Sequence, residues 1–183
     1  MANCDFDLEE TIALLERTPM VLSSLTRGLP EAWIRCNEGA HTMNVYEILG
    51  HLIYGEIADW IPRARVILEH GETATFAPFD RWGYTKQMEG KSLDWLLDEF
   101  AGRRRQSLED LRGLGLQSQD FEKQARHPAL GQVTLRQLLS TWAAHDLTHL
   151  HQISRVMANR YRKAVGPWAE YLGVLQCNGH SAP

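Results

Sequence analysis

Apolar residues recur along this chain at helical spacing, in four long stretches of 3.6-residue periodicity separated by connections rich in Gly, Pro and polar residues. The first stretch opens at Asp7, with Glu10 three residues later in a capping-box pattern. It runs through Leu14, Leu15, Val21, Leu22 and Leu25 to a stop at Gly28 and Pro30. The second starts at Asn44, with Glu47 placed to reach back to it, and continues through Ile48, Leu49, Leu52 and Ile57 to His70. Pro62 removes a backbone donor and crowds the preceding turn, so a kink or break is expected close to Trp60. The third begins at Ser92, carries Leu93, Leu96, Leu97, Phe100, Leu108 and Leu111, and dissolves at Gly113 and Gly115. Thr134 caps the fourth, with Gln137 as its reciprocal partner, and the pattern holds to about Met157.

No segment carries a competing strand signal. The expected fold is therefore all-α, a four-helix bundle with a long, kinked second helix and long connections, in one domain spanning 1–183. The connection from Gly71 to Lys91 is long for a compact domain and contains Phe76, Phe79, Trp82 and Tyr84, which points to a functional loop that packs down. Near the end of the chain Trp168, Tyr171 and Leu172 suit a short helix against the bundle, and Gly179 to Pro183 read as loose.

Composition narrows the function classes. Hydrophobic residues make up 44% and charged residues 23%, as in ordinary soluble proteins. Lys and Arg number 19 against 23 Asp and Glu, a net charge of -4 with the signs interspersed, so no positive field is available for a nucleic-acid backbone. The N-terminal residues lack the basic and apolar regions of an export signal, and no stretch approaches a membrane span, so a cytoplasmic protein without membrane contact is expected. Cys4, Cys36 and Cys177 form no Cys-x-x-Cys pair and read as reduced and incidental. Arg103, Arg104 and Arg105 fan across a wide arc of the third helix and read as a solvated face.

The chemistry appears on the fourth helix. Its seam, stepped by threes and fours, reads Leu135, Leu138, Trp142, His145, His149, Gln152 and Val156, so two histidines occupy core-facing positions. A buried imidazole without a partner is costly, and residues at i and i+4 sit about 6 Å apart, close enough for both rings to reach one ion. On the second helix His51 lies on the stripe Ile48, His51, Gly55, Ala58, and Gly55 leaves room beside it. Three imidazoles with a fourth position open is the pattern of catalytic rather than structural zinc. From periodicity alone, a metal site and a pair of satisfied core histidines fit equally well. His41, His70, His127, His151 and His180 fall in connections, at a helix end, off the seam or in the tail. Tyr54 and Trp142, each one turn from a ligand, are placed to line a pocket, and Glu47 and Gln152 to orient imidazoles; packing or capping explains each equally.

The segments Asn44-Val-Tyr-Glu47-Ile-Leu-Gly-His51-Leu and His145-Asp-Leu-Thr-His149-Leu-His-Gln152-Ile, in this order and at this separation, resemble the DinB and YfiT-like superfamily. The resemblance runs from the first helix to Met157. It implies a bundle whose second and fourth helices supply a three-histidine site, here His51, His145 and His149, for one divalent ion, zinc or nickel. It further implies a metal-dependent enzyme acting on a small molecule, a transferase using a low-molecular-weight thiol or a hydrolase. Met43 departs from the tryptophan the family often places before the second helix.

Two other motifs fit less well. His145-Asp146-Leu-Thr-His149 differs from the metalloprotease His-Glu-x-x-His in its shorter carboxylate and in having its third histidine upstream, and Asp146 reads as a residue that backs the ligands or faces solvent. Di-iron bundles need Glu-x-x-His pairs that these seams lack. The non-enzymatic alternative is a bundle with a structural or sensory metal, and helix faces used for a homodimer, the oligomer expected here in either case.

Overall fold

The computed structural model describes residues 6–177, which leaves Cys4, His180 and the 179–183 tail outside the described residues. The periodic stretches fold as a four-helix bundle, with three departures from the sequence reading.

The first stretch is two helices, α1 (Leu8–Leu15) and α2 (Thr18–Thr26), because Pro19 sits in the first turn of α2 and cannot continue α1. Asp7 caps α1 through the Glu10 N–H at 2.8 Å. A short turn, α3 (Glu31–Ile34), follows. The second stretch breaks where expected, into α4 (Val45–Ala58) and α5 (Trp60–His70), with Asp59 between them at φ -113 and ψ -74. Pro62 falls in the first turn of α5, where no intrahelical donor is lost. Asn44 and Glu47 form a reciprocal capping box on α4.

The 71–91 connection packs down through Phe76 and Tyr84, both buried, and holds a turn, α6 (Thr85–Met88); Trp82 stays exposed. Ser92 caps α7 (Leu93–Gly113), and Thr134 and Gln137 close a capping box on α8 (Leu135–Asn159).

The second departure is a hairpin in the supposedly strandless connection. β1 (Gln124–His127) pairs antiparallel with β2 (Gly131–Thr134), from Gln124 opposite Thr134 to His127 opposite Gly131. Gly131 at φ 79 closes the turn in a conformation that favours glycine. The 71–91 connection adds one bridge, the Phe76 and Arg126 amides donating to Arg126 and Ala74 carbonyls at 2.9 Å each. The third departure is at the end of the chain. A 3-10 turn (Gly166–Tyr171) and α9 (Gly173–Gln176) form, but Trp168 and Tyr171 point to solvent and only Leu175 is buried.

The core divides into two apolar clusters. One gathers Leu22, Met43, Ile48, Leu49, Leu52, Ile53, Leu96, Phe100, Ile153 and Val156. The other gathers Ile12, Leu15, Trp60, Ile67, Leu108, Leu111, Leu135, Leu139 and Trp142. Between them in sequence, on α4, α7 and α8, stand the buried polar residues Glu56, Arg104, Asp146 and His149. No helix among the described residues is long and apolar enough to cross a membrane.

Candidate metal centre

The helix spacing brings three imidazoles to one point. His51 of α4 and His145 and His149 of α8 meet through their Nε2 atoms, with His145 Nε2 3.1 Å from His51 Nε2 and 3.0 Å from His149 Nε2. Among the described residues these three form a group able to hold a metal ion, their ligand atoms all within 4.8 Å of one another. Nitrogen donors bonded to zinc at 2.0 to 2.1 Å in a tetrahedral arrangement stand about 3.3 Å apart, close to the spacing seen.

Protonation favours the same use. Burial, then the charge on His149, pushes His51 down to about 3. Burial, then His149 and His51, pushes His145 down to about 2, and His149 is lowered by burial against the opposing hydrogen bond to Gln152. All three rings are therefore neutral at physiological pH. His149 donates from Nδ1 to Gln152 Oε1 at 2.7 Å, which fixes its proton there and turns an Nε2 lone pair into the cluster. His145 Nε2 faces the Nε2 atoms of both other histidines but a single proton can satisfy only one of those contacts, so the cluster is not satisfied by protein contacts alone. The residues present fit a divalent ion.

The rings are held by aromatic contacts. Trp60 meets His145 edge-on at 5.1 Å and stacks on Trp142 at 5.6 Å and 10°. Phe79 meets the edge of His51 at 5.5 Å and is backed by Tyr54 at 5.3 Å. A cleft of ≈ 820 Å³ opens onto all three histidines, walled by Trp60, Phe76, Phe79, Leu138 and the hairpin, with Asp59, Arg63, Arg81 and His127 as its polar lining. A smaller cavity of ≈ 230 Å³ lies on the other side of His51, beside Glu47 and Arg81, and does not reach α8. At the cleft wall Arg63 pairs with Asp59 at 2.5 Å, and burial outweighs that pairing, raising Asp59 to about 6.

The other residues singled out in sequence take specific places. Gln152 bonds His149. Glu47 holds the α4 cap through the Asn44 amide at 2.8 Å, the capping alternative, and no hydrogen bond joins it to an imidazole among the described residues. Trp142 is fully buried behind Trp60, so the pocket wall beside His145 is Trp60 instead, and Tyr54 stands behind Phe79 rather than at the surface of the cleft. Gly55 leaves room, but it is Trp60 that uses it, a Cβ there lying 3.2 Å from the indole Nε1. Met43 is buried in the first apolar cluster, away from the cleft. Cys36 is half-buried, its thiol pushed up by burial despite Arg160 nearby.

Sequence reasoning missed a buried ion network. Arg104, expected on a solvated face, is 1% exposed. It donates to both oxygens of Asp146 at 2.6 and 2.9 Å, to Glu56 Oε1 at 2.8 and 3.1 Å and to the Leu15 carbonyl at 2.8 Å. The signal was present: Arg104 lies on the same stripe as Leu97, Phe100, Leu108 and Leu111, while Arg103 and Arg105 flank it in solvent. Asp146 is wholly buried, which removes its surface reading.

Comparison with known proteins agrees with this architecture. No curated protein matches the sequence. Among solved structures the fold is similar to YfiT from Bacillus subtilis, described as a probable metal-dependent hydrolase with an unusual four-helix bundle topology. The match has a TM-score of 0.71 at 19% identity over 90% of this chain and 93% of that one. A model of the DinB superfamily matches residues 14–153. That stretch holds the three histidines, Gln152 and the buried ion network, and by it this chain belongs to the DinB superfamily.

Proposed function

We propose that this protein is a divalent-metal-dependent enzyme that acts on a small molecule, as a hydrolase or as an S-transferase using a low-molecular-weight thiol, with His51, His145 and His149 as ligands. The observation that carries this reading is the convergence of three neutral Nε2 atoms on the wall of an open cleft of ≈ 820 Å³. Zinc or nickel suits an all-imidazole set.

When bound, a divalent ion with three protein ligands keeps a position for water, a thiol or a substrate atom and lowers the pKa of what it holds there. The chain's own residues do the rest. Burial keeps the three lone pairs free of protons. Gln152 fixes the tautomer of His149. Trp60 and Phe79 hold the rings and exclude water from one side. The apolar wall of Trp60, Phe76, Phe79 and Leu138 suits a molecule with an apolar body. YfiT's description as a probable metal-dependent hydrolase supports one arm, and the family resemblance read from the motifs supports the other.

The test begins with metal content by elemental mass spectrometry on tag-free wild type, His51→Ala and His149→Ala. Near one equivalent in wild type, lost in both variants, is expected. Loaded enzyme is then assayed on activated esters and epoxides with and without added thiol: turnover in water alone marks the hydrolase, strict thiol dependence the transferase. Folded wild type that takes up no metal on reconstitution would end the metal reading. A cobalt-substituted spectrum unmoved by thiols and chelating anions would leave the metal structural.

A further inference from the structure

The buried charges behind the histidines have no part in the reading above. Two carboxylates, Glu56 and Asp146, face one guanidinium, Arg104, all almost wholly removed from water. Charges are expensive to bury, and two against one leaves a negative charge in excess. Burial pushes the Glu56 carboxyl up, and its donors reduce that rise without cancelling it. Oε1 accepts three N–H groups, Arg104 Nε and Nη2 and the Trp142 indole at 3.2 Å, a set that suits a carboxylate oxygen, while Oε2 is buried without a hydrogen bond. Phe100 and Trp142 flank the guanidinium at 5.0 and 5.2 Å and confine the charges.

This excess charge borders the three-histidine centre by two routes. Asp146 follows His145 directly in α8, and its negative charge favours a cation at His149, against the positive charge of Arg104 felt at His145. Glu56 anchors Trp142, Trp142 stacks on Trp60, and Trp60 meets His145. The three imidazoles bring no charge of their own. We infer that Glu56 and Asp146, held in place by Arg104, are positioning residues that supply the negative charge to which a divalent cation at His51, His145 and His149 is matched. This rests on the metal reading of the site.

The experiment measures zinc affinity by competition with a chromophoric chelator for wild type, Glu56→Gln, Glu56→Asp and Asp146→Asn, with the melting temperature of each metal-free protein recorded alongside. Glu56→Gln and Asp146→Asn keep shape and remove charge, and zinc binding is expected to weaken roughly tenfold to a hundredfold. Glu56→Asp keeps the charge and shortens the side chain, and its affinity is expected to stay nearer wild type than that of Glu56→Gln. A scaffold role would give the opposite order, because the isosteric amide disturbs packing less. Equal affinity in wild type, Glu56→Gln and Asp146→Asn, or weaker binding by Glu56→Asp than by Glu56→Gln, would overturn the inference. Wild type that binds no zinc defeats the metal reading itself, which is a separate result.

Discussion

His149 Nδ1 lies 2.7 Å from Gln152 Oε1, one turn further along α8. The contact commits the ring proton to the side away from the cluster, so Gln152 selects which nitrogen of His149 faces the other two histidines. Replacing it with Ala frees the ring to flip or change tautomer. Gln152→Ala is expected to lower zinc affinity roughly tenfold while leaving the metal-free fold intact, as read by chelator competition and circular dichroism.

Acid stability of the metal-free protein follows from the depressed imidazoles. An unfolded histidine takes its proton near 6.5, whereas His51 resists to about 3 and His145 to about 2. Between those limits the unfolded chain binds more protons, so stability is full above about pH 6.5 and is lost as pH falls. Asp59 runs the other way: its folded value of about 6 lies above the ordinary 3.8, so its contribution is lost as pH rises through 6. Two histidines outweigh one aspartate. Urea unfolding from pH 7 to 4 is expected to show falling stability, with a shallower slope in a His51→Gln/His145→Gln protein.

Gly55 sets the position of Trp60. An Ala there gains about 1 kcal/mol of helix propensity. Its methyl would stand 3.2 Å from the Trp60 indole, which is pinned between Trp142 and His145 and cannot retreat. Overpacking costs about 1–3 kcal/mol and prevails. Gly55→Ala is expected to lower stability by about 1 kcal/mol and to weaken metal binding, measured by thermal melting and chelator competition.

Removing the guanidinium leaves two buried carboxylates facing each other. Arg104→Met is expected to cost about 3–5 kcal/mol in urea unfolding. Glu56→Met/Arg104→Met/Asp146→Met, which removes every charge together, is expected to recover a large part of it, because apolar groups of similar volume replace buried ions at little loss.

Much of the bundle was legible because its signals are local. The caps at Asn44, Ser92 and Thr134, the glycines at the end of α7 and the proline near the α4–α5 break each act within a turn or two of the residues they govern. The meeting of His51 with His145 was legible because a histidine on an apolar stripe already points inward. The hairpin was not, since strands of four residues carry too little alternation and theirs is completed by a bridge to the distant Thr75. Arg104 was hidden by its neighbours: a run of three arginines reads as surface, and only its place on the leucine stripe distinguishes it. The role of Trp60 depended on Gly55 and Trp142 meeting it in space, which no single segment records.

The buried polar stratum between the two apolar clusters also answers a mechanical question. Cylinders greased only by leucine and isoleucine slide along one another at little cost, and a slide of one turn would carry His51 about 5.4 Å past His145. Glu56, Arg104 and Asp146 sit on three different helices and interlock at a single height. They act as a detent, so that rings 94 positions apart in the chain arrive level with one another.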